Sequence, residues 1–428
     1  MDNKCQIDIR PLESLADQPL TTVKISGLPP NHKAVVRAKV QDEKGVTWIS
    51  WVVFQSDDSG SIDISKQAPL SGTFIKPDPS AILWSMRPEG DMTKAVPIFA
   101  KKTIAPLNIE ITVEINEETF AQSTIKRIFC SQETEVIREP VDQAGVTGTL
   151  FYPAGKGTHP AVICLSGSGG GFDEPRASLL AAHGYAAFAL GYFDVGSLPK
   201  ELHKVPVEFF ERGLAWLEKH ESVDCGRIAV CGYSKGGELS LLLGSLYSRI
   251  KAVAAISGSS VVWQGLRFGR PSSSWTQAGK ILPYVPIKIP LYTIFRLLRG
   301  KPVAFRESYE KGIRSANNVA DSTIRVEQIN GPIFLVAGTD DQVWPAADFA
   351  DTIVERLKRH EHRHSCEYLR EEGAGHLVCL PYLPSAEICR NLIFTSSNIE
   401  LSSIAMVKAW HAMLGFFNKY LKEDPEHT

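Results

Sequence analysis

Two periodicities divide the chain. At 34–40, 47–54, 60–65 and 109–115 polar and apolar residues alternate, with turns such as Asp42-Glu43-Lys44-Gly45 between them. A period of two puts one face of a strand in a core and the other in water. Short strands separated by Gly and Asp turns, without a strong helix signal, predict an antiparallel, Ig-like β-sandwich. From about Gly145 the rhythm changes. Candidate strands follow at 161–166, 186–190, 227–231, 252–256, 333–336 and 366–369, most of them apolar, and 332–338 reads as a strand buried on both faces. Segments of helical spacing separate them, at 176–183, 207–220, 236–248, 346–360 and 403–421. That alternation predicts a largely parallel sheet covered by helices. The expected division is a sandwich domain over 1–130 and an α/β domain over 131–428.

One strand of the second part ends in Gly232-Tyr233-Ser234-Lys235-Gly236, and a helix follows at once. A G-x-S-x-G sequence at a strand–turn–helix junction is a nucleophile elbow: strand and helix close so tightly that glycine is needed on either side, and the serine stands exposed at the apex. A serine hydroxyl is a weak nucleophile unless a base takes its proton. The strand at 333–336 leads into Thr339-Asp340-Asp341, and a later glycine loop, Gly373-Ala374-Gly375, presents His376. Chain order Ser, Asp, His is that of an α/β-hydrolase, so Ser234 is the expected nucleophile, His376 the base and Asp341 the acid that orients it. Asp340, nearer the strand, is expected to cap the helix starting near Pro345. The glycine run Gly167-Ser168-Gly169-Gly170-Gly171 ends another strand. Lacking the G-K-[ST] of a phosphate loop, it reads as one side of an oxyanion hole, with Ser168 or Gly169 donating beside the N–H of Lys235. No metal or organic cofactor is required by this chemistry.

A formal charge of −2 and a pI near 6.6 argue against nucleic acid or an anionic membrane as the main partner. No uncharged apolar run reaches membrane-spanning length, so integral membrane association is not expected. Neither end carries a recognisable targeting pattern, which makes the cytoplasm the expected location, and a monomer is expected. The eight cysteines lack paired spacing and read as buried free thiols. His360, His362 and His364 alternate, but without a completing carboxylate or thiol they read as a polar turn. The segment 261–306 breaks the α/β rhythm. It holds eight Lys or Arg and no Asp or Glu, threaded with Trp263, Phe268, Trp275, Tyr284, Tyr292 and Phe295. A lid over the site is the expectation, suited to a substrate with a phosphate-rich head and an apolar tail. A solvated insertion is the plainer reading. A membrane-surface stretch is the third, with Pro283, Pro286 and Pro290 interrupting any long helix.

Together these residues resemble the acyl-coenzyme A thioesterase / bile acid-CoA:amino acid N-acyltransferase family. The resemblance rests on Leu28-Pro29-Pro30, on Gly148 to Pro153, and on Gly169-Gly170-Gly171 with Arg176-Ala177-Ser178-Leu179. It rests above all on Ser234-Lys235-Gly236-Gly237-Glu238-Leu239, then on Asp341 with Trp344 and on Gly375-His376 before Pro381-Tyr382. It implies a sandwich ahead of an α/β-hydrolase domain and an acyl-CoA substrate. Members that conjugate bile acids to glycine or taurine carry cysteine at the elbow, so Ser234 implies hydrolysis. Amino-acid acylation, or a non-catalytic binding protein, are the alternatives. The stretch 281–306 departs from the family pattern.

Overall fold

The structure is a computed structural model and describes residues 5–90, 98–130, 135–143, 145–267, 270–378, 380–384, 389–390 and 393–423. Phe268, the domain boundary at 131 and the extreme termini lie outside them.

The N-terminal part is a sandwich. One sheet pairs Gln6–Arg10, Thr22–Ser26 and Ile62–Asp63. The larger one runs Glu13–Leu15, Glu118–Ile128, Leu107–Ile115, Lys33–Gln41, Thr47–Gln55 and Ser71–Gly72. The alternation read from the sequence is what buries it: along Lys33–Gln41 the apolar Ala34, Val36, Ala38 and Val40 point inward, opposite Val52, Phe54, Ile111 and Val113. All pairings are antiparallel except one, where Glu118–Ile128 runs parallel to Glu13–Leu15. Glu118–Ile128 was not foreseen because only its far end is buried; the rest is a polar, exposed ribbon.

The second part is built on one sheet, eight-stranded among the described residues. Its strands are β1 (Val136–Gln143), β2 (Val146–Pro153), β3 (His159–Leu165), β4 (Ala186–Leu190), β5 (Val223–Tyr233), β6 (Ile250–Ile256), β7 (Ile333–Gly338) and β8 (Cys366–Glu371). They lie in the order β1-β2-β4-β3-β5-β6-β7-β8, parallel from β4 onward, with β1 and β2 antiparallel at the edge. The order reverses around β3 and β4, and such a reversal opens a crevice beyond the strands' carboxyl ends. Helices α1 (Glu174–Ala182), α2 (Glu208–Leu217), α3 (Lys235–Leu246), α4 (Ala346–Arg359) and α5 (Ile399–Phe417) accompany this sheet. Edge strand β1 begins before Gly145, where the sequence pattern changes; Val141 is its one buried residue, so it gives almost no apolar signal.

The two parts are bolted together by a buried carboxylate. Asp17 of the sandwich accepts from His183 Nε2 at 2.6 Å, just past α1, and from Trp410 Nε1 at 2.8 Å on α5. A single apolar cluster runs from the sandwich through Phe151 and Ala177 to Met413. Of the cysteines, Cys164 and Cys231 are buried as free thiols, but Cys225 is exposed and Cys5, Cys130 and Cys366 are only half-buried. The expectation of uniformly buried thiols therefore holds for the central strands alone. His362 and His364 sit in the turn between α4 and β8, and among the described residues no cluster of three His, Cys, Asp or Glu is placed to hold a metal.

Candidate active site

Strand β5 delivers Ser234 to the crevice in a backbone conformation that L-residues rarely adopt, φ 56° and ψ −123°. The flanking glycines permit it. A Cβ on Gly232 would lie 2.3 Å from the carbonyl oxygen of Gly236, and one on Gly236 would lie 2.4 Å from that of Ser166. Ser234 N–H donates to the Ile256 carbonyl at 2.9 Å, locking the turn to β6.

His376 follows the loop after β8. Its Nδ1 donates to Asp341 Oδ2 at 2.6 Å. The second Asp341 oxygen accepts the backbone N–H of Val343 at 2.8 Å and of Trp344 at 3.2 Å, so a fully buried carboxylate is held by three donors. With the proton of a neutral ring on Nδ1, the Nε2 lone pair is the one left to accept a proton. The loop is fixed on both sides: His376 N–H donates to Thr395 O at 2.9 Å, and Leu377 N–H to Ser257 Oγ at 3.0 Å. The Trp344 ring meets the His376 ring edge-on at 6.0 Å.

Ser234 and His376 line one cavity of about 460 Å³, together with Gly167, Ser168, Gly169 and Gly170. The structure thus brings together Ser234, His376 and the glycine run, with Asp341 immediately behind the histidine. Asp340 is elsewhere. It accepts from Gln342 Nε2 at 2.7 Å and from Ser397 N at 2.6 Å, and helix α4 begins without a side-chain cap. The capping role expected for Asp340 is therefore corrected: the chain turns away toward Ser397 before α4 starts, and Asp340 pins that later loop.

The expected lid needs correcting too. No described residue of 261–306 lines the cavity. Trp263 and Trp275 are instead fully buried and donate to Glu238 of α3, and Trp275 packs on Tyr192 and on Phe210 of α2. The cavity's outer wall comes from the sandwich, through Lys44 and residues 98–102, and from Leu380, Leu383 and Ile393. Lys101 is buried and paired with Glu43 at 2.5 Å. Lys44 and Lys102 are exposed at the rim, without an ion-pair partner among the described residues. No pattern within residues 34–115 distinguishes these lysines from ordinary surface charge.

Two buried ionic groups behind the serine went unassigned in the sequence. Lys235 Nζ pairs with Glu238 at 2.6 and 2.7 Å, and both side chains are almost wholly shielded from solvent. Glu238 also accepts from Trp275 Nε1 at 2.8 Å and from Trp263 N at 3.4 Å. Burial pushes the Lys235 ammonium down and the Glu238 carboxyl up, and each partner's charge opposes the shift of the other. Arg176 on α1 donates to Asp173 at 2.7 Å and to the Val378 carbonyl at 3.3 Å, with its guanidinium 5.1 Å from the Tyr233 ring. It braces the residue before the serine against the loop after the histidine. The i, i+3 charge spacing in each pair was the available signal.

Comparison with known proteins agrees over both halves. Residues 17–143 match the family model described as acyl-CoA thioester hydrolase/BAAT N-terminal region, and residues 205–423 match BAAT / acyl-CoA thioester hydrolase C terminal. The chain is 28% identical over 424 residues to the peroxisomal succinyl-coenzyme A thioesterase of Mus musculus, covering 95% of this chain and 94% of that one. It is 29% identical over 423 residues to acyl-coenzyme A thioesterase 1 of the same organism, covering 96% of each. To the mitochondrial acyl-coenzyme A thioesterase 2 of Rattus norvegicus it is 30% identical over 419 residues, covering 95% and 87%. The relatives' names thus span more than one compartment. With its α/β-hydrolase sheet and these relatives, the chain is a hydrolase and belongs to the acyl-CoA thioester hydrolase/BAAT family.

Proposed function

We propose that this protein hydrolyses acyl-CoA thioesters through an acyl-serine intermediate. Ser234 Oγ attacks the thioester carbonyl while His376 Nε2 takes its proton. Asp341 holds the ring and stabilises the imidazolium. The oxyanion forms against the N–H of Lys235 and that of Ser168 or Gly169, and one such donor is worth about 3 kcal/mol of barrier. Coenzyme A departs as a thiolate, which needs little help from an acid. His376 then activates a water against the acyl-serine, and the free acid leaves. In this reading residues 1–130 form a sandwich domain that walls the site, and residues 131–428 carry the chemistry. Lys44 and Lys102 face the phosphates of the coenzyme.

The observation that carries the reading is the shared cavity of Ser234 and His376, backed by the 2.6 Å bond from His376 to the buried Asp341. A panel of acyl-CoA esters scored by free-thiol release tests it. Ser234→Ala should fold normally and lose nearly all turnover; a variant keeping more than a few per cent of the rate on every ester would remove Ser234 from the mechanism. Mass spectrometry of the products formed with glycine or taurine present separates hydrolysis, which yields only free acid, from acyl transfer.

A further inference from the structure

The segment 261–306 does not cover the cavity, yet it carries the most conspicuous exposed apolar surface of the hydrolase part. Helix Leu291–Leu298 has Leu291, Ile294, Phe295 and Leu298 at positions i, i+3, i+4 and i+7, which is one stripe. A surface helix normally turns such a stripe inward. Here those residues are 81%, 41%, 59% and 80% exposed, and the buried residue of the helix is Thr293. Ile289, two residues before the helix, is exposed as well, and so is Ile281 earlier in the segment. The apolar face is therefore presented outward by the fold itself.

Its flanks are cationic. Arg296 lies within the helix, Lys288, Arg299 and Lys301 lie within three residues of its ends, Lys280 comes earlier in the same segment, and no acid occurs anywhere in 261–306. The Arg299 guanidinium lies 5.1 Å from the centre of the Phe295 ring, next to the apolar surface. The nearest acids in the sequence are already engaged. Glu307 pairs with Lys311 at 2.7 Å and receives the Tyr292 hydroxyl, and Glu310 pairs with Arg306 at 2.8 Å. A short apolar ridge on a helix carrying and flanked by cations suits a surface that is greasy within and negative at its edge, which describes an anionic phospholipid bilayer.

We propose that helix Leu291–Leu298 is a peripheral docking element for anionic phospholipid membranes. Its apolar stripe enters the headgroup–acyl boundary and the lysines and arginines of the same segment meet the lipid phosphates. Position gives the docking a purpose. Just beyond the helix, Val303 forms a bridge with Ile393, a cavity-lining residue, and Phe305 and Arg306 N–H donate to Gln342 O beside Asp341. The docked face is thus stitched to the mouth of the site, where an amphiphilic substrate resting in the bilayer would reach it. Lipid docking itself does not depend on the catalytic reading, because it is measured without turnover.

The test is co-sedimentation of the full chain with vesicles of phosphatidylcholine alone and of phosphatidylcholine mixed with phosphatidylglycerol. Wild type should sediment with the anionic vesicles and be released by high salt. The exposed-site double variant Phe295→Asp with Leu298→Asp should lose binding by roughly tenfold or more, a difference of about 1.4 kcal/mol. The charge variant Arg299→Glu with Lys301→Glu should lose it as well, and hydrolysis of a short, water-soluble acyl-CoA should be unchanged in both. Wild type left in the supernatant, or a Phe295/Leu298 variant that sediments like wild type, overturns the proposal. So does a vesicle-independent dimer that the same variant abolishes, since the face would then belong to a second copy.

Discussion

Removing the charge of Glu238 isolates a buried cation whose one carboxylate partner among the described residues is Glu238 itself. In Glu238→Gln the amide keeps an acceptor for Trp275 Nε1, but the Lys235 ammonium, buried to within a few per cent, loses the carboxylate at 2.6 Å. Lys235 then has to remain charged in a dry site or give up its proton. The second route sets a ceiling. Holding an ordinary lysine, pKa about 10.4, neutral at pH 7 costs about 1.36 kcal/mol per pH unit, or ~4.6 kcal/mol in all. Breaking one side of a buried pair generally costs about 3–5 kcal/mol, which agrees. The sign of the pH dependence follows. The variant's folded-state lysine has a pKa well below its unfolded value, so the unfolded chain binds the extra proton and stability rises with pH until it passes the unfolded pKa. Urea unfolding at constant m-value should show a loss of about 3–5 kcal/mol at pH 7, shrinking by about 1.4 kcal/mol per pH unit toward pH 9. Adding Lys235→Met should restore all but about 1 kcal/mol, because the pair is then gone from both sides while the backbone N–H of residue 235 survives. A Glu238→Gln protein of wild-type stability, or a deficit that does not change with pH, would refute the account.

Two further outcomes are expected. Asp341→Asn should lower kcat on the order of 10⁴-fold by removing the anion that fixes the His376 ring, whereas Asp340→Asn should stay within roughly tenfold of wild type, since its side chain binds Gln342 and Ser397 rather than the histidine; steady-state kinetics on one acyl-CoA compares them, and equal losses would defeat the assignment. Lys44→Ala with Lys102→Ala should raise KM for acyl-CoA roughly tenfold with kcat unchanged and a weaker salt dependence, yet leave a thioester lacking the nucleotide unaffected; equal effects on both substrates would free these lysines from the phosphates.

The placement of Ser234, Asp341 and His376 was legible because each follows an apolar run or a glycine loop, and the parallel sheet must bring those carboxyl ends to one edge. The central strands were legible for the same reason. Strand β1 and Glu118–Ile128 were not, since an edge strand buries little and a polar ribbon reads as loop. The Asp340 role was misread because helix capping is local, while Asp340 binds Ser397, which lies 57 positions on. The lid failed on a different ground. Trp263 and Trp275 in a basic segment look the same whether they face a substrate or a core, and only the Glu238 acceptor decides for the core.

That a loop of the sandwich furnishes one side of the cavity holding Ser234 and His376 bears on how this protein can be taken apart. Trimming away the leading region would not yield a smaller enzyme but a crevice with a flank missing, and the charge of Asp17 would go with it, leaving His183 and Trp410 without their acceptor. Grafting another front half onto this chain should accordingly succeed only where the graft brings a carboxylate to His183 and Trp410.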